Sequence, residues 1–131
     1  MFEYKGKAFG YQCDIYGHVN NAVYPHFLEE ARSFALDEID MSISKLNKMG
    51  IQMFIKHYDI DFIKAVQFYE NFVIKTSIIK FDRIKSKWSQ KIYNDKDELC
   101  LDAEIEVVFA KNGKVCRISR DLEKYFKDHL M

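Results

Sequence analysis

Hydrophobic and polar positions change period twice along this chain. Residues 2–12 carry aromatics at Phe2, Tyr4, Phe9 and Tyr11 and read as an extended opening strand. From Asn21 onward the period becomes helical. Tyr24, Phe27, Leu28, Ala31, Phe34, Ala35 and Ile39 fall on one stripe, with Glu38 inside it. Glu29, Arg32, Ser33, Leu36 and Asp37 lie at its edge or outside. Pro25 suits the first turn, where a missing N–H costs little. A shorter helical piece, SISKLNKMG, ends at Gly50, a residue suited to a helix C-terminus.

After Gly50 the pattern is that of strands up to Ser119. In IQMFIKHYDIDFIKAV, Tyr58, Ile60 and Phe62 alternate with His57, Asp59 and Asp61. NFVIKTSIIKF and SKWSQKIYN follow at strand length, and NDKDE reads as a turn. LCLDAEIEVVFA alternates at Leu101, Ala103, Ile105 and Val107. The Asn112-Gly113 pair predicts a tight hairpin into VCRIS. RDLEKYFKDHLM predicts a small amphipathic C-terminal helix. The order is one long helix near the front, then four or five antiparallel strands in meander order, an α+β arrangement. A sheet this long beside a single helix is expected to curl around it.

Composition narrows the function classes. At 131 residues the chain is expected to be a single domain, residues 1–131, able to bury a core without a staple. Aromatics make up 15%, which favours sheet. Twenty basic and twenty acidic residues cancel, which argues against broad electrostatic capture of nucleic acid or acidic lipid. Cys13, Cys100 and Cys116 are odd in number and widely spaced, as free thiols in a reducing cytoplasm would be. The polar N-terminus does not read as a signal peptide, and no apolar run reaches the ~20 residues that span a bilayer. A cytoplasmic location is expected, with no membrane and no nucleic-acid partner.

The chemistry concentrates in CDIYGHVNNAVYP, Cys13 to Pro25, directly before the long helix. Asp14 brings a carboxylate next to a helix start, whose first amides are unpaired and carry partial positive charge. Gly17 permits a tight turn and close substrate approach. Asn20 and Asn21 are suited to capping the helix. Taken alone, an acid before a helix is a cap, and a lone cysteine such as Cys13 is a buried thiol rather than a nucleophile. His18, His26 and Cys13 fit no common closed zinc site, so no metal and no cofactor is expected.

Asp14-Ile-Tyr-Gly17-His18-Val19-Asn20-Asn21-Ala-Val-Tyr24, followed by Glu29-Glu30-Ala31-Arg32, resembles the D-x-x-G-H-V-N-N-x-x-Y…E-x-A-R signature of hotdog-fold thioesterases. The branch is that of 4-hydroxybenzoyl-CoA thioesterase and general acyl-CoA thioesterases. The resemblance implies a hotdog fold, a long central helix wrapped by an antiparallel β-sheet, and covers essentially the whole chain. It implies hydrolysis of acyl-CoA to a free acid and CoA, with Asp14 as nucleophile or general base. The Asn21 amide, seven residues on, would help polarise the thioester carbonyl. His18 would orient Asp14 or a water, or hold the loop by hydrogen bonds; Asn20 and Gly17 would brace it, and Tyr24 would pack beneath. The family also pairs its sheets edge to edge, so a homodimer or homotetramer with sites at the subunit interface is expected.

FDRIKSKWSQK adds Arg83, Lys85, Lys87 and Lys91 near a strand start, with Arg83, Lys85 and Lys87 expected on one face. One reading is a solvated edge strand guarded by lysines. The other, implied by the resemblance, gives Arg83 and Lys85 to the nucleotide end of CoA. Rival functions are hydrolysis of acyl groups from acyl carrier protein and a non-catalytic acyl-CoA-binding module. Plant carrier-protein thioesterases share HVNN but carry Asn two residues after the Asp, where this chain has Tyr16.

Overall fold

A computed structural model describes residues 1–131. The elements are β1 (Phe2–Lys7), α1 (Tyr24–Glu38), α2 (Ile43–Lys48), β2 (Gln52–Phe62), β3 (Asn71–Phe81), β4 (Lys85–Asn94), β5 (Leu99–Lys111), β6 (Lys114–Val115) and α3 (Arg120–Leu130). All strand pairs are antiparallel. The order across the sheet is β1-β3-β4-β5-β2, with the short β6 on β5. The sheet packs on α1, which is the expected hotdog architecture.

Alternation explains why one face of the sheet carries the core. In β3, Phe72, Ile74, Thr76 and Ile78 are buried, and a bulge between Ile78 and Lys80 lets Phe81 turn inward as well. Ser86, Trp88, Gln90 and Ile92 do the same in β4, and Leu101, Ala103, Ile105, Val107 and Phe109 in β5. These residues meet Tyr24, Phe27, Leu28, Ala31, Ala35 and Leu36 of α1. The Asn112-Gly113 turn forms with both residues at positive φ, 52° and 77°, as a two-residue hairpin requires. Gly50, at φ 78°, follows α2. α3 places Phe126 against Phe81 and Phe109.

Four details depart from the sequence reading. The opening strand stops at Lys7, and Gly10–Gln12 forms a single 3-10 turn in which the Gln12 side chain accepts from the Phe9 amide. Only β3, β4 and β5 form a meander; β2 crosses to the far edge beside β5, and β1 takes the edge beside β3. On α1, Phe34 is exposed, packing edge-on to Tyr4 with centroids 5.7 Å apart, while Arg32 and Leu36 are buried. Glu38, placed inside the stripe, is exposed as well, while the Arg32 guanidinium is drawn inward by Gln90 and Tyr58. Finally, β4 is an interior strand, so its lysines do not guard an edge.

Candidate active site

The stretch between β1 and α1 folds as a loop clipped at both ends. The Asp14 amide donates to the His18 carbonyl (2.8 Å) and the Gly17 amide to the Asp14 carbonyl (3.1 Å). Asp14 Oδ1 accepts from the Tyr16 amide at 2.9 Å and, weakly, from the His18 amide at 3.4 Å. One carboxylate oxygen is thus fixed by the turn, while Oδ2 has no partner within the chain. Gly17 sits at φ 74°, a region other residues enter only at a cost, although a Cβ there would touch nothing. Its requirement is conformational rather than spatial.

Asn20 prepares the helix. Its Oδ1 accepts from the Ala22 amide at 2.9 Å and its carbonyl from the Val23 amide at 2.8 Å. α1 then begins at Tyr24, with Val23 as its N-cap residue and Pro25 in the first turn. No side chain caps this helix, and the Asn21 amide has no acceptor in the chain. That donor lies in the turn leading into α1, two residues before its N-cap, so Asn20 and Asn21 brace this turn rather than cap the helix.

The segment after β2 clamps this loop from the other side. The Val19 amide donates to the Val66 carbonyl (2.8 Å) and the Phe68 amide to the Gly17 carbonyl (2.7 Å). The Val66 amide donates to the buried Tyr24 hydroxyl at 3.1 Å. Between loop and clamp lies a cleft of about 240 Å³, lined by Asp14, His18, Asn21, Tyr24, Phe62 and Lys64 among others. Phe62 stacks edge-on to Tyr24, with centroids 5.6 Å apart. Lys64 ion-pairs with Glu98, which holds the ammonium above its ordinary value and the carboxyl below its own.

Of the residues expected from the sequence, the structure brings Asp14, His18, Asn21 and Tyr24 to one cleft. Gly17 and Asn20 shape its wall through the backbone. The His18 imidazole makes no hydrogen bond within the chain, so its contact with Asp14 runs through the backbone. The Cys13 thiol donates to the Phe9 carbonyl at 3.6 Å, and burial together with the Asp14 charge pushes its pKa up, which disfavours a thiolate. Phe62, Ile63, Lys64 and Ala65 also line the cleft and were not anticipated. The only sequence signal for them is the break in alternation after Phe62.

Arg83 and Lys85 lie elsewhere. Asp82 accepts from the Ile84 and Lys85 amides, at 2.7 and 2.9 Å, forming a turn that removes Arg83 from the strand. Arg83 therefore does not share a strand face with Lys85 and Lys87; its Nε donates to the Ile118 carbonyl at 2.8 Å. Lys85 pairs with Glu106 at 3.6 Å and Lys87 with Glu104 at 3.6 Å. In the sheet, Ile92 stands opposite Leu101, which stands opposite Phe62 at the cleft. Lys85 is seven residues from Ile92, so about 23 Å separates it from that level.

The profile of the Thioesterase-like superfamily matches residues 9–126. The chain belongs to that family. The enzyme class expected from the sequence, a thioester hydrolase, is the class of the family. The chain is 26% identical over 122 residues to the chloroplastic acyl-acyl carrier protein thioesterase ATL2 of Arabidopsis thaliana, covering 92% of this chain and 65% of that protein. It thus spans less than two-thirds of the plant protein's length. It is 23% identical over 127 residues to a putative esterase of Aquifex aeolicus, covering 97% and 98% of the two chains. Its fold is similar to that of a DHNA-CoA thioesterase from Staphylococcus aureus, with a TM-score of 0.91, 22% identity and 97% and 89% of the chains covered. No helix of this thioesterase-family chain is long and apolar enough to cross a membrane.

Proposed function

We propose that this chain hydrolyses acyl-CoA thioesters, with Asp14 as the catalytic carboxylate. The observation that carries the reading is the pairing, in one cleft, of a carboxylate with one free oxygen and the amide of Asn21, in the turn before α1, with no acceptor. A thioester carbonyl is electrophilic because sulfur donates little resonance. The amide of Asn21 receives the carbonyl oxygen and stabilises the negative charge that grows there. Asp14 Oδ2 attacks the carbonyl carbon or removes a proton from the attacking water. If Asp14 attacks, the CoA thiolate leaves and the acyl group stays on Asp14 as a mixed anhydride, which water hydrolyses to the free acid and the restored carboxylate. If water attacks, the thiolate leaves directly and takes up the proton that Asp14 removed. His18 lines the cleft as a hydrogen-bonding group for water or substrate.

The long, unpaired outer edge of β2 supports assembly into a homodimer, or a tetramer built from dimers. Phe54 and Phe62 on that strand are 43% and 56% exposed, more apolar surface than a lone edge strand should leave in water. Arg83 and Lys85 are the candidates for the nucleotide phosphates of CoA, and their distance from the cleft of their own chain favours substrate bound by a neighbouring copy. The free thiols Cys13, Cys100 and Cys116 support a reducing compartment, the cytoplasm.

One observation favours a second reading: the similarity to a plant acyl-acyl carrier protein thioesterase makes carrier-bound acyl groups a rival substrate. A thiol-release assay on short, long and aromatic acyl-CoAs, run beside acyl carrier protein substrates, separates the two. Asp14→Ala and Asp14→Asn are expected to lose roughly 100-fold or more in kcat. Near-wild-type turnover in both variants would overturn the assignment of Asp14. Tight acyl-CoA binding with no thiol release from the wild-type protein would show a binding module instead.

A further inference from the structure

Arg32 is an arginine inside the core. It is 6% exposed, and no carboxylate of the chain forms an ion pair with it. Its partners are neutral: Nη1 donates to Gln90 Oε1 at 2.9 Å and Nη2 to the Tyr58 hydroxyl at 3.3 Å, with the Tyr58 ring 5.9 Å away. Gln90, fully buried, is held in turn through Nε2 by the Leu28 carbonyl at 3.0 Å and Thr76 Oγ1 at 3.1 Å. The network fixes the guanidinium without neutralising it. A guanidinium has five N–H donors, and two are used here. A desolvated charge with neutral partners is costly, and an anion is the group that relieves it.

Arg32 also lines a cavity beside α1, with Glu29, Ser33 and Leu36 of the same helix. Its volume is about 210 Å³, and its walls include Leu36 of α1, Ile43 of α2, Met53 of β2, Trp88 of β4 and Val107 of β5. Glu29 also lines the cavity; it is exposed and makes no ion pair with Arg32. The cavity shares no lining residue with the Asp14 cleft. Along α1, Arg32 is eight residues beyond Tyr24, a rise of about 12 Å. At ~30 Å³ per water-sized volume, the space takes roughly seven non-hydrogen atoms.

We propose that this cavity binds a small monocarboxylate, its apolar stem against Leu36, Trp88 and Val107 and its carboxylate on Arg32. Size, apolar walls and one uncompensated cation define that chemistry together. Arginine suits it because the planar fork meets a carboxylate with two parallel hydrogen bonds. The site stands apart from the hydrolytic cleft and does not depend on the thioesterase assignment.

Trp88 is the only tryptophan of the chain and lines the cavity, so its fluorescence reads occupancy without any turnover. The purified wild-type protein is titrated with sodium pentanoate, and with pentanamide and 1-pentanol as uncharged controls of similar size. Pentanoate is expected to change the Trp88 emission saturably, with the controls roughly tenfold weaker or more. Arg32→Met is expected to reduce the pentanoate response to that of the amide. If that variant does not fold, Val107→Phe, which fills the cavity and leaves Arg32 in place, is expected to abolish the response. Equal responses to pentanoate and pentanamide, or none at millimolar concentration, would overturn the proposal. So would the finding that a second copy supplies the anion: Arg32→Met turning an oligomer into monomers while pentanoate leaves wild-type Trp88 unchanged.

Discussion

The amide of Val66 donates to the buried hydroxyl of Tyr24 at 3.1 Å, tying the segment after β2 to the first turn of α1. The two residues are 42 apart in sequence, and their contact anchors Tyr24, a wall of the Asp14 cleft, to the segment after β2. Tyr24→Phe keeps the ring packing on Phe27 and Phe62 but leaves the Val66 N–H without a partner. We expect a loss of about 1–3 kcal/mol, read by chemical denaturation. Hydrogen exchange at Val66 should rise along with it, because the amide loses its protection.

The same hydroxyl gives the protein an alkaline limit. Burial pushes the Tyr24 pKa above its ordinary 10.0, and the Val66 hydrogen bond opposes that only in part. A raised folded-state value means that the folded protein holds this proton more tightly than the unfolded chain. The resulting stabilisation is complete below pH 10.0 and is lost as pH rises from there through the folded-state value. Thermal melts taken across this range should show Tm falling more steeply for the wild-type protein than for Tyr24→Phe. Parallel slopes would show that Tyr24 is not the group responsible.

Gly17→Ala tests whether the loop conformation, rather than its composition, supports the chemistry. At φ 74° an alanine pays for the left-handed backbone, about 1–2 kcal/mol, although it meets no neighbour. The loop can relieve that strain by moving, and Asp14 and the Asn21 amide move with it. Turnover is therefore expected to fall on the order of tenfold or more, while the melt stays cooperative. Steady-state kinetics beside a thermal melt distinguishes this from simple unfolding.

How much of this was legible in the sequence follows from the range of the interactions. Loop residues Asp14 to Tyr24 are bonded mostly to one another, so a contiguous motif located them. The clamp at Phe62–Phe68 reaches the loop from about 45 residues away and left only a break in alternation. Strand existence and facing were readable from period two, but the place of β2 beside β5 depends on pairing that no local pattern encodes. Arg32 shows the same limit. On a helical wheel it belongs at the edge of the apolar stripe, and only Gln90, 58 residues away, explains its burial. The basic run near β4 was visible, whereas the acids that answer it, Glu104 and Glu106, come from the next strand.

Gln90→Leu should expose the cost of that buried cation. The leucine removes the Gln90 Oε1 acceptor at 2.9 Å and leaves Nη1 of Arg32 unpaired in the core. It also strips the Leu28 carbonyl and Thr76 hydroxyl of their shared donor. A hydrogen bond to a charged group is worth more than a neutral one, so a destabilisation of about 3 kcal/mol is expected in urea or guanidinium titrations. Gln90→Glu separates charge from shape. A carboxylate at this position would neutralise Arg32, and a smaller loss than for leucine would confirm that the cation is what the glutamine serves.

The outer edge of β2 makes the last prediction. Its eleven residues, Gln52–Phe62, present backbone donors and acceptors to solvent along about 36 Å. Natural sheets protect such an edge with prolines, short strands or charge. Lys56, His57, Asp59 and Asp61 supply some charge here, yet Phe54 is 43% exposed on the same strand. Pairing with a second copy would satisfy the edge and cover that ring. Phe54→Glu places a charge at the seam while leaving the core and the Asp14 cleft untouched. Sedimentation velocity is expected to show a dimer for the wild-type protein and a monomer for the variant at micromolar concentration. If both proteins sediment alike, β2 is not the seam.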